Sequence, residues 1–427
     1  MRAWPLIVLA AAAIGSSAPA LAADDDADAL TLADKTAVTA QAGRDWHAFV
    51  EAAWSQSVLR LVGTTPVTGG PTLRTERLSF DIRYDHAFAP GWRVVFADRV
   101  DTRWQNEASP ASNVNTLKEA YVSWQPRPDR IADAGRINAR YGVATGYNPT
   151  DYFRASAERS IVSIDPASLR ENRMGSAMLR GQALWTDGSL TALYSPKLAD
   201  HANNGEFSPD FGATNHNNRW LIAVSQKLTD TLNPQWLLDG GTGQSPRLGV
   251  NLTGLVNDAT VAYLEWSGGR TASLLSQAGL QADDASFRNR LATGLTYTTA
   301  SKLSLTFEYE YNGAGLDRGR WDALRRGSPA LYGAFRGFAA DAQDPPTRQR
   351  LFLRAAWQDA MISHLDLTMN VFYDLVDSSR QAWVEARYHW SRVDMALQWQ
   401  ANSGAPGTQF GAMPERRVVQ VLVRWYL

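Results

Sequence analysis

From residue 44 to the C-terminus, apolar and polar side chains alternate with a period of two. In the last segment Val419, Val421, Val423, Trp425 and Leu427 share one face, and Arg416, Gln420 and Arg424 fall on the other with Val418, Leu422 and Tyr426. The segment before it sets Val393, Met395, Leu397 and Trp399 against Asp394, Gln398 and Gln400. Leu365, Leu367, Met369, Val371 and Tyr373 alternate with Asp366, Thr368, Asn370 and Asp374. Leu303, Leu305, Phe307, Tyr309 and Tyr311 alternate with Ser304, Thr306, Glu308, Glu310 and Asn312. A strand that crosses a bilayer needs roughly 9–11 residues of this pattern, apolar toward lipid and polar toward a lumen. Windows that satisfy it lie at 44–54, 73–84, 91–103, 114–125, 129–139, 173–186, 187–195, 217–228 and 233–240. They continue at 246–256, 259–269, 288–298, 302–312, 347–358, 364–376, 379–390, 391–401 and 416–427. The pattern therefore predicts an all-β chain, a transmembrane antiparallel β-barrel of about eighteen strands. If 233–240 and its neighbour form one loop instead, the count falls to sixteen.

The joins between windows are unequal. Short ones include Pro126-Arg127-Pro128-Asp129, Thr186-Asp187-Gly188, Val256-Asn257-Asp258 and Thr299-Ala300-Ser301; long ones include 140–172, 196–216, 270–287, 312–346 and 402–415. Their alternation fits periplasmic turns and extracellular loops. Asp98 breaks the pattern, being in phase with Trp92, Val94, Phe96 and Val100. Regular geometry aims it at lipid, so a β-bulge or a place near the interface is expected there.

The first 22 residues add an address. Arg2, the apolar run Leu6–Gly15 and Ala20-Leu21-Ala22 have the layout of a cleaved secretory signal peptide, residues 1–22. Residues 23–43 read as a periplasmic N-terminal segment, one short helix or a linker, whose aspartates lack EF-hand spacing. No later run of 18 apolar residues exists, so no membrane-spanning helix is expected. The expected location is the bacterial outer membrane. With no cysteine, disulfide frameworks, zinc-thiolate sites and thiol nucleophiles are excluded. A formal net charge of −1 gives no sign of nucleic-acid binding, and no cofactor or metal site is implied. Sixteen tryptophans suit the aromatic girdles of such a barrel.

A barrel this wide encloses water, so candidate chemistry lies in what lines and narrows it. Alternation turns Arg77, Asp81 and Arg83 inward, then Arg93, Arg99, Asp101 and Arg103, then Glu119, then Arg136 and Arg140, then Arg180. Arginine forks match carboxylate and phosphate geometry, and rings of them make anion pathways. The same residues would equally serve as a wall locked by arginine–acid pairs. Loop 140–172 is long enough to require a function or disorder. It is expected to fold into the lumen as a constriction presenting Tyr147, Asp151, Tyr152, Arg154 and Arg159. The arginines of loop 313–346 (Arg318, Arg320, Arg325, Arg326, Arg336) could bind lipopolysaccharide phosphates.

The strand Leu117-Lys118-Glu119-Ala120-Tyr121-Val122-Ser123-Trp124, followed by Gly135-Arg136 and Tyr141-Gly142, resembles proteobacterial outer-membrane porin-like barrels. It is weakly similar to the alginate-export family. That resemblance implies eighteen strands and an arginine-lined anion pathway. The chain departs from the family in ending Trp-Tyr-Leu rather than in phenylalanine. The expected function is thus a porin-like channel for small hydrophilic or anionic solutes, in contact with outer-membrane lipid and lipopolysaccharide and compatible with a homo-oligomer. The competing reading is a barrel component of a lipid, polymer or peptide export assembly. An enzyme is disfavoured: there is no Gly-x-Ser-x-Gly elbow, and the six histidines fall on separate strands, turns and a polar loop.

Overall fold

Within a bilayer every strand N–H and C=O must find a partner in the protein, so a spanning sheet has to close on itself. The computed structural model describes residues 45–60, 72–105 and 110–427. The expected signal peptide 1–22 and the whole of the segment 23–43 that follows lie outside the described residues. The strands run as β1 (Trp46–Leu59), β2 (Thr72–Ala89), β3 (Trp92–Gln105), β4 (Ser112–Arg127), β5 (Arg130–Ile137) and β6 (Ser176–Trp185). Next come β7 (Gly188–Ser195), β8 (Arg219–Gln226), β9 (Gln235–Gly241), β10 (Gln244–Asn257), β11 (Thr260–Thr271) and β12 (Ser286–Thr298). The last six are β13 (Leu303–Asn312), β14 (Gln349–Trp357), β15 (Leu365–Asp374), β16 (Arg380–His389), β17 (Val393–Ser403) and β18 (Glu415–Tyr426).

Each strand pairs antiparallel with its sequence neighbours in one 18-stranded sheet. β1 closes it by pairing with both β2 and β18, the latter from Phe49 opposite Tyr426 to Val58 opposite Arg417. Every window read from the alternation is a strand, 233–240 included. Leu78, Phe80, Leu179, Leu248, Phe307 and Leu397 stand exposed on the outer face, while Glu51, Asp81, Arg99, Glu265, Glu308 and Asn370 are buried inside. That inversion of a soluble protein is stable only in lipid. At the short-turn end Trp92 stacks on Trp124 at 5.7 Å and Tyr388 lies 4.5 Å from Trp390, as interfacial aromatics do.

Two local devices shape the wall. Gly135 has φ +137°, and a Cβ there would sit 2.3 Å from the Ala120 carbonyl, so β5 can approach β4 only with glycine at that point. At Asp98 the expected bulge is present, but its extra residue is on the neighbouring strand. Ala97 faces Glu119 and Asp98 faces Leu117, which leaves Lys118 without a β3 partner. Lys118 turns inward to Asp81 at 2.8 Å. Asp98 keeps its outward phase, and both its oxygens accept from the Asn115 amide at 2.8 Å.

The long-loop end carries structure that the period-two reading did not resolve. Two helices fill the loop between β13 and β14, α2 (Arg318–Arg326) and α3 (Pro329–Asp341), after an earlier short α1 (Pro166–Glu171) between β5 and β6. Asp317 caps α2 by accepting from the Arg320 amide at 3.0 Å, and proline occupies the first turn of α1 and of α3. Leu274, Leu316, Trp321, Phe335, Ala339 and Val376 form a separate apolar core beneath these helices.

Candidate functional site

The 38 residues between β5 and β6 lie inside the barrel, held by carboxylates on the far wall. Glu265 on β11 accepts the amides of Val143 (2.9 Å) and Ala144 (3.1 Å) on Oε2, and the Thr150 amide (2.8 Å) and hydroxyl (2.9 Å) on Oε1. Glu308 on β13 accepts the amides of Thr145 (2.9 Å), Gly146 (3.2 Å) and Tyr147 (3.0 Å) and the Tyr263 hydroxyl (2.8 Å). Each of these loop and wall groups donates, so both carboxylates act as acceptors that fasten the loop. Gly142, at φ +102°, passes so close that a Cβ would lie 2.6 Å from both Glu265 oxygens. Further along, Asp165 accepts from Arg354 on β14 (2.8 Å) and Asn370 on β15 (2.9 Å). Arg77 on β2 donates to the Val162 carbonyl at 3.3 Å. The loop therefore reaches walls on several sides of the lumen.

Its root is closed by Arg173, which donates to both Asp151 oxygens (2.8 and 3.1 Å), to Asn138 (2.8 Å) and to the Ala139 carbonyl (2.8 Å). Ile137, Ala139, Tyr152, Phe153, Met178 and Leu193 pack with Leu221, Ala223 and Leu237 into an apolar core between the loop and the inner wall of β5–β9. This side of the lumen is filled.

The expected constriction residues sit in that anchorage. Tyr147, Asp151 and Tyr152 are buried. Tyr147 donates to Asp344 at 2.9 Å, and burial, reinforced by that carboxylate, raises its phenol above the usual range. Tyr152 meets the Ser267 hydroxyl at 2.9 Å and is pushed by burial up to about 12. Burial alone would raise Asp344, but Arg290 and Arg154 beside it hold its carboxyl below the usual range. Arg159 donates to the Ser208 and Gly205 carbonyls of the β7–β8 loop, both at 2.6 Å.

The arginines expected in the lumen meet acids. Arg77 pairs with Glu51 at 2.6 Å, Arg99 with Asp101 at 3.0 Å and Glu51 at 3.1 Å, and Arg83 with Glu119 at 2.6 Å. Arg93 pairs with Asp85, and Arg180 with Asp133 at 2.8 Å. Arg103 lies opposite Arg77 in the inward phase near the long-loop end. Arg140 is exposed at the start of the β5–β6 loop.

Arg136 is not in the lumen. It pairs in register with Ala120 and Ala177, on the outer face shared with Ala132 and Ala134, and its guanidinium lies 4.6 Å from the Phe211 ring of the β7–β8 loop. The expectation failed because Ile131, Asp133 and Ile137 share the inward phase of β5, with Asp133 opposite Arg180 and Ile137 in the loop's apolar core, which leaves Arg136 on the other face.

Open space remains on the other side of the loop. A cavity of about 220 Å³ lies between residues 162–172 and the inner faces of β1 and β14–β18. Arg354, Arg387 and Arg424 line it with Glu51, Asp165, Glu171 and Glu385. Arg387 is bidentate to Glu385 (2.9 and 3.0 Å), and Arg424 donates twice to one oxygen of Glu51, Oε2 (3.1 and 2.9 Å). Arg354 and Arg387 were not among the expected lumen residues, and Arg424 was expected only as part of the polar face of the last strand. Their signal was present: Arg387 is two residues from Glu385, and Arg424 shares the inward phase with Gln420. Barrel closure then sets β18 beside β1, making one basic wall from both ends of the sequence.

No protein-family model matches the chain, and no curated protein matches it. Solved structures do. OccAB1 of Acinetobacter baumannii superposes with TM-score 0.53 at 9% identity, over 90% of this chain and 96% of that one. The outer membrane protein opdK of Pseudomonas aeruginosa gives 0.53 at 8%, over 90% and 98%. The fold is an outer-membrane barrel. OpdL of Pseudomonas aeruginosa gives 0.54 at 10% identity, over 90% and 98%. At such identities the likeness is one of fold, and residue roles have to come from this chain.

Proposed function

We propose that this barrel is a porin-like channel of the bacterial outer membrane through which small hydrophilic solutes, including anionic ones, diffuse. The observation that carries the reading is the open gap left beside an inward-folded loop, lined by Arg354, Arg387 and Arg424. A loop that served only to plug the barrel would have no need of a charged, open face on one side. In this reading the short turns face the periplasm, the helical cap faces outward, and residues 1–22 are the export signal. Residues 140–172 set the bore, with Tyr147, Asp151, Tyr152 and Arg154 fixing the loop and Arg83, Arg93, Arg99 and Arg103 continuing the basic wall. The cap arginines Arg318, Arg320 and Arg326 are exposed, where they can meet lipopolysaccharide phosphates.

Purified protein in planar bilayers tests this. Discrete, ohmic conductance steps support the channel. A barrel that inserts yet stays silent, and copurifies with lipid or periplasmic proteins, supports the export-assembly reading instead.

A further inference from the structure

We infer that the gap beside the loop is matched to dipolar solutes, small molecules carrying both a carboxylate and an ammonium group, rather than to simple anions. The inference rests on the channel reading and adds a substrate class to it.

The charge lining the gap is balanced, with a small acidic excess. Three arginines stand there against four carboxylates. Three of those acids are engaged: Glu51 with Arg424, Glu385 with Arg387, Asp165 with Arg354. Glu171 is exposed and, among the described residues, makes no ion pair. It occupies the last position of α1, where the helix carbonyls disfavour a negative charge. A carboxylate in that place does nothing for the loop's stability, and it lines the gap.

The opposite wall offers the complementary groups. Arg387 uses Nε and Nη2 on Glu385, and its Nη1 is 3.7 Å from Asp394, beyond hydrogen-bond reach. Arg354 directs Nη1 to Asp165. Each guanidinium so keeps N–H groups for a passing carboxylate, and a fork of that kind suits it geometrically. A simple anion gains these donors but meets Glu171 across the gap. A simple cation gains Glu171 but meets the arginines. A molecule with both charges satisfies the two walls at once. Amino acids and short peptides in their zwitterionic form have that chemistry.

The test uses the full protein in liposomes and planar bilayers. Swelling rates are compared for glutamine, glutamate, lysine and arabinose, and ion preference is read from reversal potentials in a salt gradient. Glutamine is expected to enter about threefold faster than glutamate or arabinose, the scale of one exposed ion pair. Glu171→Gln should remove most of that advantage and shift the reversal potential toward anions, and Arg387→Gln should shift it toward cations. Glutamate entering fastest in the wild type, with the order unchanged in Glu171→Gln, overturns the dipolar assignment and leaves the channel standing. Liposomes that admit none of the four solutes, with bilayers that show no steps, overturn the channel itself and this inference with it.

Discussion

Replacing Glu308 by glutamine tests how the loop is held. Glu308 accepts three consecutive loop amides and the Tyr263 hydroxyl, all at 3.2 Å or less. A hydrogen bond contributes about 1 kcal/mol net, and leaving a buried donor without its acceptor costs about 1–3 kcal/mol. The amide of glutamine can replace only one oxygen's worth of acceptance. Whichever way it turns, its NH₂ faces at least one N–H donor. With the amide nitrogen in the Oε1 position, the Tyr147 bond is lost and its buried N–H is left unsatisfied, a total of about 2–4 kcal/mol. The barrel ladders do not use this side chain, and Glu265 still holds residues 143–150. Loop docking, not the barrel, should therefore loosen. Hydrogen exchange at the amides of residues 145–147 is expected to accelerate by one to three orders of magnitude, with single-channel current becoming noisier and the thermal unfolding of the strands unchanged. Exchange and current noise identical to wild type would refute the carboxylate-anchor argument.

Other consequences follow from the same structure. Arg173→Met strands the buried Asp151 carboxylate, which should cost about 3–5 kcal/mol of loop stability and open residues 155–170 to proteases. Burial raises the Glu158 carboxyl from 4.5 to about 7 despite Arg173 nearby, so the docked loop holds a proton that the undocked loop has released. Its contribution to docking is fully present below pH 4.5 and is lost as pH rises through about 7, so exchange of residues 157–160 should accelerate across that window in wild type but not in Glu158→Gln. Trp321 is fully buried against Tyr332 and Phe335, and Trp321→Ala should cost the helical cap about 3–5 kcal/mol, read as proteolysis within 318–341 while the barrel persists.

How much of this was legible in the sequence depends on what each residue answers to. Strands facing lipid obey a two-residue period imposed by the solvent, so all eighteen windows could be placed, and Asp98 could be marked as needing a bulge. The exception on β5 arises where the inward neighbour is the loop's apolar core rather than water. Nothing local to Ile131, Asp133 or Arg136 announces that core, because Tyr152, Phe153 and Leu221 reach it from elsewhere in the chain. The helices of the β13–β14 loop were signalled by Asp317 and Ser328-Pro329, but arginine content drew attention instead to their surface. The inward position of residues 140–172 was inferable from length. Its anchors were not, since Glu265 and Glu308 lie more than a hundred residues away and look, strand by strand, like any lumen-facing acids.

The central claim is that solutes pass on the β14–β18 side of the loop and not on the β5–β9 side. Because the chain contains no cysteine, single cysteines can be introduced without background. Modification of Arg387→Cys by a charged thiol reagent during single-channel recording should reduce the current in discrete steps, while Thr191→Cys, inward-facing but buried, should leave it untouched. Block at Thr191→Cys with none at Arg387→Cys would contradict the account.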